Sequence, residues 1–205
     1  VFSQSFQWEQ ALPEQEGFSS ERLYAMRDTL IKHDTKTLLV IRNDKILMEW
    51  YAEGWNPRRR HYTASLAKAL VGGMSLSLAI NDSRLKPDDL VWKYIPQWKS
   101  HPLKSKITVR QLATHTSGLE DAIPKNEGGW KQTFWERKDS PNDPFTMARD
   151  QAHVLFEPGS EYQYSNPGIA MLAYAVTSSY QGSKYTDICT LLKERIYKPI
   201  GLKRD

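Results

Sequence analysis

The stretch HYTASLAKAL, residues His61–Leu70, places a serine and a lysine one helical turn apart at the head of an apolar run. Residues i and i+3 share a helix face, so the Lys68 side chain can reach the Ser65 hydroxyl. A serine hydroxyl is a weak nucleophile that needs a neighbouring base, and this pair fits that chemistry. It also fits a helix cap followed by an ordinary lysine. The chain contains a second match at residues 83–86, which serves as an internal control.

The residues around each Ser-x-x-Lys match differ, and this difference distinguishes Ser65 and Lys68 from the control pair. Residues 65–80 read SLAKALVGGMSLSLAI, which is too short and interrupted to span a membrane and predicts a helix buried on all sides. Lys68 would then lie near the buried part of this helix, where the neutral, proton-accepting amine is favoured. Ser65, at the helix start, would direct its own N–H towards a developing oxyanion. Ser83 and Lys86 lie in the polar segment NDSRLKPDD and are expected to be solvated and inert.

The flanking segments predict an α+β fold. A helix is expected over residues 19–33, capped by Ser19 and Ser20. The segment TLLVIRNDKILMEWY, residues 37–51, has two β-rich runs around Asn43-Asp44 and predicts a hairpin. Two amphipathic helices are predicted near the end, in GIAMLAYAVTSSY and YTDICTLLKERIYKPIGL. A sheet packed on helices accounts for this order of elements.

A polar, Gly/Pro-rich stretch of about forty residues precedes FEPGSEYQYSNPG and is predicted to be irregular. We expect residues 120–160 to supply the wall of a cleft, with Trp130 and Trp135 as candidates for substrate contact.

Composition limits the classes of function. The apolar fraction of 40% and charged fraction of 25% are typical of a globular protein. The net charge of +4 is too mild to indicate a nucleic-acid binder, and the run Arg58–Arg60 fits either a solvated loop or a positive rim that attracts anionic substrates. The single cysteine, Cys189, excludes an internal disulfide and is expected to be buried. The five histidines lack zinc-site spacing, so no metal is expected. No other cofactor is expected either.

A second polar group lies in YQYSNPG. Tyr164 and Asn166 flank Ser165, so in an extended or turn backbone their side chains project to the same side. A tyrosine near an ammonium has a lowered pKa and can act as base and then acid. Asn166 could orient the lysine and a substrate carbonyl. The alternative is a simple turn before a helix, because Asn-Pro-Gly is strong turn chemistry.

Taken together, SLAK, YSN, ITVRQLATHTSGL and FEPGSEYQYSNPG resemble, in this order, the penicillin-recognising serine hydrolases. DDLVWKYIPQW and IYKPIGL are similar to connecting segments of the same family. Within that family the chain resembles the class C β-lactamases, the D-alanyl-D-alanine carboxypeptidases of that type, and their esterase and 6-aminohexanoate-dimer hydrolase relatives. The resemblance runs through most of the chain.

The resemblance implies a β-lactamase/transpeptidase-like fold, an antiparallel sheet flanked by helices plus a mostly helical lobe. It implies that Ser65 is the nucleophile, that Lys68 and Tyr164 carry the proton, and that Asn166 positions the substrate. His115, in THTSG, is expected to be structural. The chain would be the N-terminal part of one domain, with the helix and hairpin in residues 1–58, the helical lobe in 59–160, and the Tyr-x-Asn motif with its following helices in 161–205.

The family's third motif, Lys-Thr-Gly or His-x-Gly on a later strand, has no counterpart here. We therefore expect the C-terminal strands, with one oxyanion donor, to come from polypeptide outside this chain, either its continuation or a separate chain. The inner strand of the 37–51 hairpin would pair with that polypeptide, and residues 1–205 alone would be nearly inactive. The implied function is hydrolysis of an ester or amide through an acyl-enzyme, with a β-lactamase proper or a non-hydrolytic penicillin-binding sensor as alternatives. The resemblance favours a periplasmic or secreted location, although no leader is visible.

Overall fold

The computed structural model describes residues 7–123 and 129–202. These residues form two compact units, divided between Tyr62 and Thr63. The first unit contains a small sheet and one long helix, and the second is mainly helical. Within the described ranges no helix has the length and apolarity needed to cross a membrane. The predicted subdivision at residues 58 and 160 stays a prediction.

The sheet of the first unit has three strands, β1 (Glu9–Gln10), β2 (Thr37–Arg42) and β3 (Lys45–Tyr51), in the order β1-β3-β2. β1 runs parallel to β3, and β2 pairs with β3 in antiparallel register. Asn43 and Asp44 join them with φ values of 47° and 59°, the positive angles that a two-residue type I′ turn requires. The predicted hairpin is therefore confirmed. Among the described residues, β2 has no strand partner on its other side.

The predicted first helix is also confirmed. α1 spans Ser20–Lys32, and the Ser19 hydroxyl caps it by accepting the Arg22 N–H at 3.3 Å. A 3₁₀ turn at Pro13–Glu16 precedes it. One face of α1 contributes to a small buried cluster of Leu23, Leu47 and Met48.

The second unit is built from short helices around one long one. Its elements are a π-helical segment (Lys68–Gly73), α2 (Met74–Asn81), 3₁₀ turns (Val91–Lys93, Pro96–Trp98, Lys104–Lys106), α3 (Val109–Ala113), α4 (Gly129–Glu136), α5 (Pro144–Gln151), α6 (Asn166–Ser179), α7 (Ile188–Leu192) and a second π-helical segment (Lys193–Tyr197). α6 contacts α2, α3, α5 and α7 and is the centre of the packing. The core around it includes the fully buried Ile95, Trp98, Ile107, Leu112, Met171 and Val176.

The helix that follows Ser65 is not buried on all sides, so that expectation is wrong. Small residues spaced three and four apart, Gly72, Ser75 and Ala79, form its buried stripe. This segment and α2 both contact α6, and small side chains let the helices approach closely. The large apolar residues therefore lie on other faces, and Leu66, Leu70 and Val71 are 57%, 46% and 38% exposed. Lys68 is half-buried and Ser65 is exposed.

The stretch predicted to be irregular contains two helices, α4 and α5. Asp143 begins α5 by accepting the N–H groups of Phe145 and Thr146 at 2.9 and 3.0 Å, and Pro144 occupies the first helical position. These are helix-start signals that the polar composition concealed. Residues 124–128 of the stretch lie outside the described residues.

The two predicted C-terminal helices correspond to α6 and α7, with α7 running directly into the second π-helical segment. The expectation for Cys189 is wrong, because its side chain is exposed. Leu191 and Leu192 take the buried face of α7 instead, and Cys189 lies outside that face.

Candidate active site

The second unit brings the predicted serine, lysine and tyrosine together. Ser65 Oγ lies 2.7 Å from Tyr164 Oη, and Lys68 Nζ donates a hydrogen bond to Ser65 Oγ at 3.0 Å. Lys68 Nζ also lies 4.9 Å from the centre of the Tyr164 ring, within cation–π range. The hydroxyl of Ser65 thus contacts both the amino group of Lys68 and the phenol of Tyr164. The catalytic roles of these residues stay a prediction.

The backbone turns sharply into the helix at this point. Ala64 has φ 45°, in the left-handed region that costs an L-residue roughly 1–2 kcal/mol. Ser65 follows at the turn, and the π-helical segment begins at Lys68. No described residue accepts a hydrogen bond from the Ser65 N–H. That N–H, at the start of a helix, is therefore free to bind an oxyanion.

Tyr164 has a pKa below its ordinary value. Partial burial of the ring raises the pKa, but hydrogen bonding to Lys68 and Ser65, together with the Lys68 charge, outweighs that effect. At a given pH a larger fraction of Tyr164 than of a free tyrosine is therefore the phenolate, the form that can accept a proton. Tyr162, two residues earlier, is 68% exposed and edge-on to His115 at 6.0 Å, so only Tyr164 reaches the serine.

Asn166 is the first residue of α6, and Asp121 holds it. The Asn166 backbone N–H and its Nδ2 both donate to Asp121 Oδ1, at 2.8 and 2.9 Å. The same oxygen accepts the Ala122 N–H at 2.9 Å. In the described chain the Asn166 amide makes no hydrogen bond to Lys68, so its predicted role in orienting the lysine stays a prediction. Sequence reasoning missed Asp121, since no motif spacing links it to Asn166.

His115 anchors the backbone on both sides of Tyr164. Its Nδ1 accepts the Ser165 N–H at 3.1 Å, and its carbonyl accepts the Gln163 N–H at 2.8 Å. The imidazole stacks on the Tyr164 ring, with centroids 4.6 Å apart and planes 27° apart. This arrangement agrees with the expected structural role. Burial, followed by the charge of Lys68, lowers the pKa of His115 against an opposing effect of Asp121.

The two tryptophans predicted for the cleft wall occupy different environments. Trp135 is 43% exposed and donates its indole N–H to the Ala122 carbonyl at 2.5 Å, next to Asp121. Trp130 is partly buried and packs against the core. Lys131 pairs with the buried Glu120 at 2.7 Å and so ties α4 to the same loop. Contact of either tryptophan with a substrate stays a prediction.

The control pair is solvated, as predicted. Ser83 and Lys86 are both exposed, and neither contacts Tyr164. The Arg58–Arg60 run is likewise exposed, with the Arg59 guanidinium 4.4 Å from the Trp55 ring centre. No group of three or more His, Cys, Asp or Glu side chains is arranged to hold a metal ion in residues 7–123 and 129–202.

A protein-family model described as "Beta-lactamase" matches residues 28–205. The chain belongs to the beta-lactamase family. A relative from Escherichia coli named "Putative D-alanyl-D-alanine carboxypeptidase" is 24% identical, over 93% of this chain and 48% of its own length. The beta-lactamase-family chain thus spans about half the length of the curated relatives it matches.

Solved structures agree on the fold. The "Putative 6-aminohexanoate-dimer hydrolase from Bacillus anthracis" superposes with a TM-score of 0.71 at 22% identity, covering 95% of this chain and 53% of that one. The structure named "EstCE1, a hydrolase with promiscuous acyltransferase activity" gives 0.67 at 22% identity, covering 90% and 52%. The resemblance and the α+β, β-lactamase/transpeptidase-like fold expected from the sequence are confirmed.

Proposed function

We propose that this chain is the N-terminal part of a serine hydrolase that cleaves an ester or amide bond through an acyl-enzyme intermediate. The observation that carries the proposal is the Ser65 hydroxyl, 2.7 Å from a tyrosine and 3.0 Å from a lysine. Membership of the beta-lactamase family supports it, as do similar proteins named as a carboxypeptidase, a dimer hydrolase and a hydrolase with acyltransferase activity.

In the acylation step, Ser65 Oγ attacks the substrate carbonyl carbon, and its proton passes to the Tyr164 phenolate. The carbonyl π electrons move to the oxygen, which the Ser65 N–H stabilises. Lys68 takes part in this proton transfer through its hydrogen bond to Ser65 Oγ at 3.0 Å, and its charge stabilises the phenolate beside it. When the tetrahedral intermediate collapses, the bond to the leaving alcohol or amine breaks, and Tyr164 returns the proton to the leaving group.

Deacylation repeats this sequence with water in place of serine. Tyr164 accepts a proton from the attacking water, the ester bond to Ser65 breaks, and the proton passes to Ser65 Oγ. Asn166 would contribute by binding the substrate from the start of α6, where Asp121 fixes its amide. The access of water to the acyl-enzyme determines whether the acyl group leaves Ser65 quickly, as in a hydrolase, or stays attached for a long time, as in a sensor.

Polypeptide outside this chain would complete the site. The outer edge of β2 lacks a strand partner among the described residues, and such edges readily pair with another strand. The matched relatives are about twice as long as this chain. We therefore assign to the additional polypeptide a strand beside β2 and the second oxyanion donor, whose loss typically costs about a hundredfold to a thousandfold in rate.

Fluorophosphonate labelling combined with a turnover screen tests the function. In the full-length protein, Ser65→Ala should abolish labelling, whereas Ser83→Ala, which removes the solvated serine of the control pair, should label normally. Chromogenic esters, D-alanyl peptides and a cephalosporin then sort the substrate class, with esters or amides expected to turn over. Labelling of the wild type without turnover would indicate the sensor alternative. Labelling that survives Ser65→Ala would refute the proposal.

A further inference from the structure

We propose that His115 is a positioning residue that must be neutral to hold Tyr164 against Ser65, so that its protonation switches the site off in acid. The inference rests on the proposed hydrolase function. It goes beyond that function because His115 neither touches Ser65 nor belongs to the Ser-x-x-Lys or Tyr-x-Asn motif.

The first step concerns the proton on the imidazole. A backbone N–H can only donate, so the 3.1 Å hydrogen bond from Ser165 requires a lone pair on His115 Nδ1. The ring must therefore be the neutral tautomer with its proton on Nε2. An imidazolium carries protons on both nitrogens, and its Nδ1–H would face the Ser165 N–H.

The second step concerns what this bond holds. The residues on both sides of Tyr164, Gln163 and Ser165, each donate a backbone N–H to His115, one to its carbonyl and one to its ring. The Tyr164 ring itself stacks on the imidazole. Three contacts with one residue therefore determine where the phenol oxygen lies, 2.7 Å from Ser65 Oγ. Loss of the ring acceptor releases one end of this segment.

The third step concerns the charges around the ring. Lys68 faces it from the π-helical segment and Asp121 from its own loop, while Tyr162 and Tyr164 face it from the segment before α6. Burial and Lys68 together lower the pKa of His115, and Asp121 opposes them only in part. The neutral ring is thus the form present at neutral pH, and the switch operates below the ordinary imidazole range near 6.5.

Two substitutions of His115 test separately its hydrogen-bond acceptor for the Ser165 N–H and its aromatic face for Tyr164. His115 has φ 59°, a conformation that asparagine tolerates well, and the Asn side-chain oxygen is an acceptor that does not titrate. His115→Asn therefore keeps an acceptor for Ser165 and removes the ionisation. His115→Phe keeps an aromatic face for Tyr164 and removes the acceptor.

The pH dependence of kcat in the full-length protein tests the switch. In the proposed mechanism kcat requires both the Tyr164 phenolate and a neutral His115, so the wild-type rate should fall in acid more steeply than one ionisation allows, with the His115 ionisation setting in below about pH 6.5. His115→Asn should keep at least about a tenth of the neutral rate and fall with the slope of a single ionisation, since Tyr164 still titrates and the acceptor for Ser165 remains. His115→Phe should lie at least about tenfold below His115→Asn, mainly in kcat, because the Ser165 N–H has no acceptor. An unchanged acid limb in His115→Asn, or a wild-type rate in His115→Phe, would overturn the proposal.

Nitrogen-15 NMR of the histidine rings gives a second readout that needs no activity and no variant. We expect His115 to show an unprotonated Nδ1 and a protonated Nε2 at neutral pH and to titrate below about 6.5. A protonated Nδ1, or titration at or above that value, overturns the inference even if the protein is a hydrolase. If instead Ser65→Ala leaves turnover intact, the proposed function fails while the NMR result still decides whether His115 is neutral.

Discussion

Replacing Gly118 by alanine should destabilise the second unit far more than the same change at another glycine with the same backbone angle. Gly118 has φ 78°, and a Cβ there would lie 2.6 Å from the Phe156 carbonyl oxygen and 2.9 Å from Val154 Cγ1. The Phe156 contact is with backbone, which cannot rotate away as a side chain can. The Gly118 carbonyl also accepts the Leu155 N–H at 2.8 Å, so separating the two segments would break that hydrogen bond.

Two effects set the magnitude for Gly118→Ala. A left-handed L-residue costs roughly 1–2 kcal/mol, and overpacking a site that cannot relax costs roughly 1–3 kcal/mol. The free energy of unfolding should therefore fall by about 2–5 kcal/mol. Gly182 is the control, since it also has φ 78° but a Cβ there would meet no atom within 4 Å. Gly182→Ala should show only the cost of the left-handed backbone. The entropy that alanine removes from the unfolded chain is the same in the two variants and cancels in the comparison.

Urea unfolding of the two variants and of wild type measures the difference. The midpoint should fall more for Gly118→Ala, with the slope against urea unchanged. Because Gly118 lies three residues from both His115 and Asp121, kcat should also fall in this variant and not in Gly182→Ala. Equal destabilisation by the two substitutions would show that the contact with Phe156 carries no energy and would refute the reasoning.

Three further outcomes are expected. Tyr164→Phe should lower kcat by at least about a hundredfold, the scale of a general acid–base group, while Tyr162→Phe changes it little; equal losses would indicate packing instead. Asp121→Ala should reduce kcat/KM about tenfold, because the backbone and side-chain N–H groups of Asn166 lose their acceptor. Asp121→Asn keeps an oxygen at this position and should reduce kcat/KM less. The reverse order of the two variants in steady-state assays would contradict this. The Arg195 guanidinium is the main cause that lowers the pKa of Asp82 to about 2. This ion pair therefore stabilises the fold fully above the unfolded pKa near 3.9, and the stabilisation is lost as the pH falls through about 2. Asp82→Asn should make the melting temperature less dependent on pH across that window, and an unchanged pH dependence would exclude the pair as its source.

The sequence by itself determined the elements whose signals lie within a few residues. Asn43-Asp44 between two β-rich runs specified the hairpin, and the Ser19 cap specified the start of α1. The i, i+3 spacing brought Lys68 to Ser65 because both belong to one helical turn. Each of these depends on local backbone geometry, which neighbouring residues set.

Tertiary structure alone decided which residues other than Lys68 surround the Ser65 hydroxyl. Tyr164 lies 99 positions from Ser65, and His115 lies 50 positions from Ser165, so no periodicity relates the members of either pair. The same holds for Asp121 beneath the start of α6, which sequence reasoning missed. Packing also decided which face of the helix after Ser65 is buried, because that face consists of small residues rather than of the large apolar ones. Such contacts depend on how α6 packs against the rest of the second unit, and the acceptor that a backbone N–H finds is known only when that packing is known.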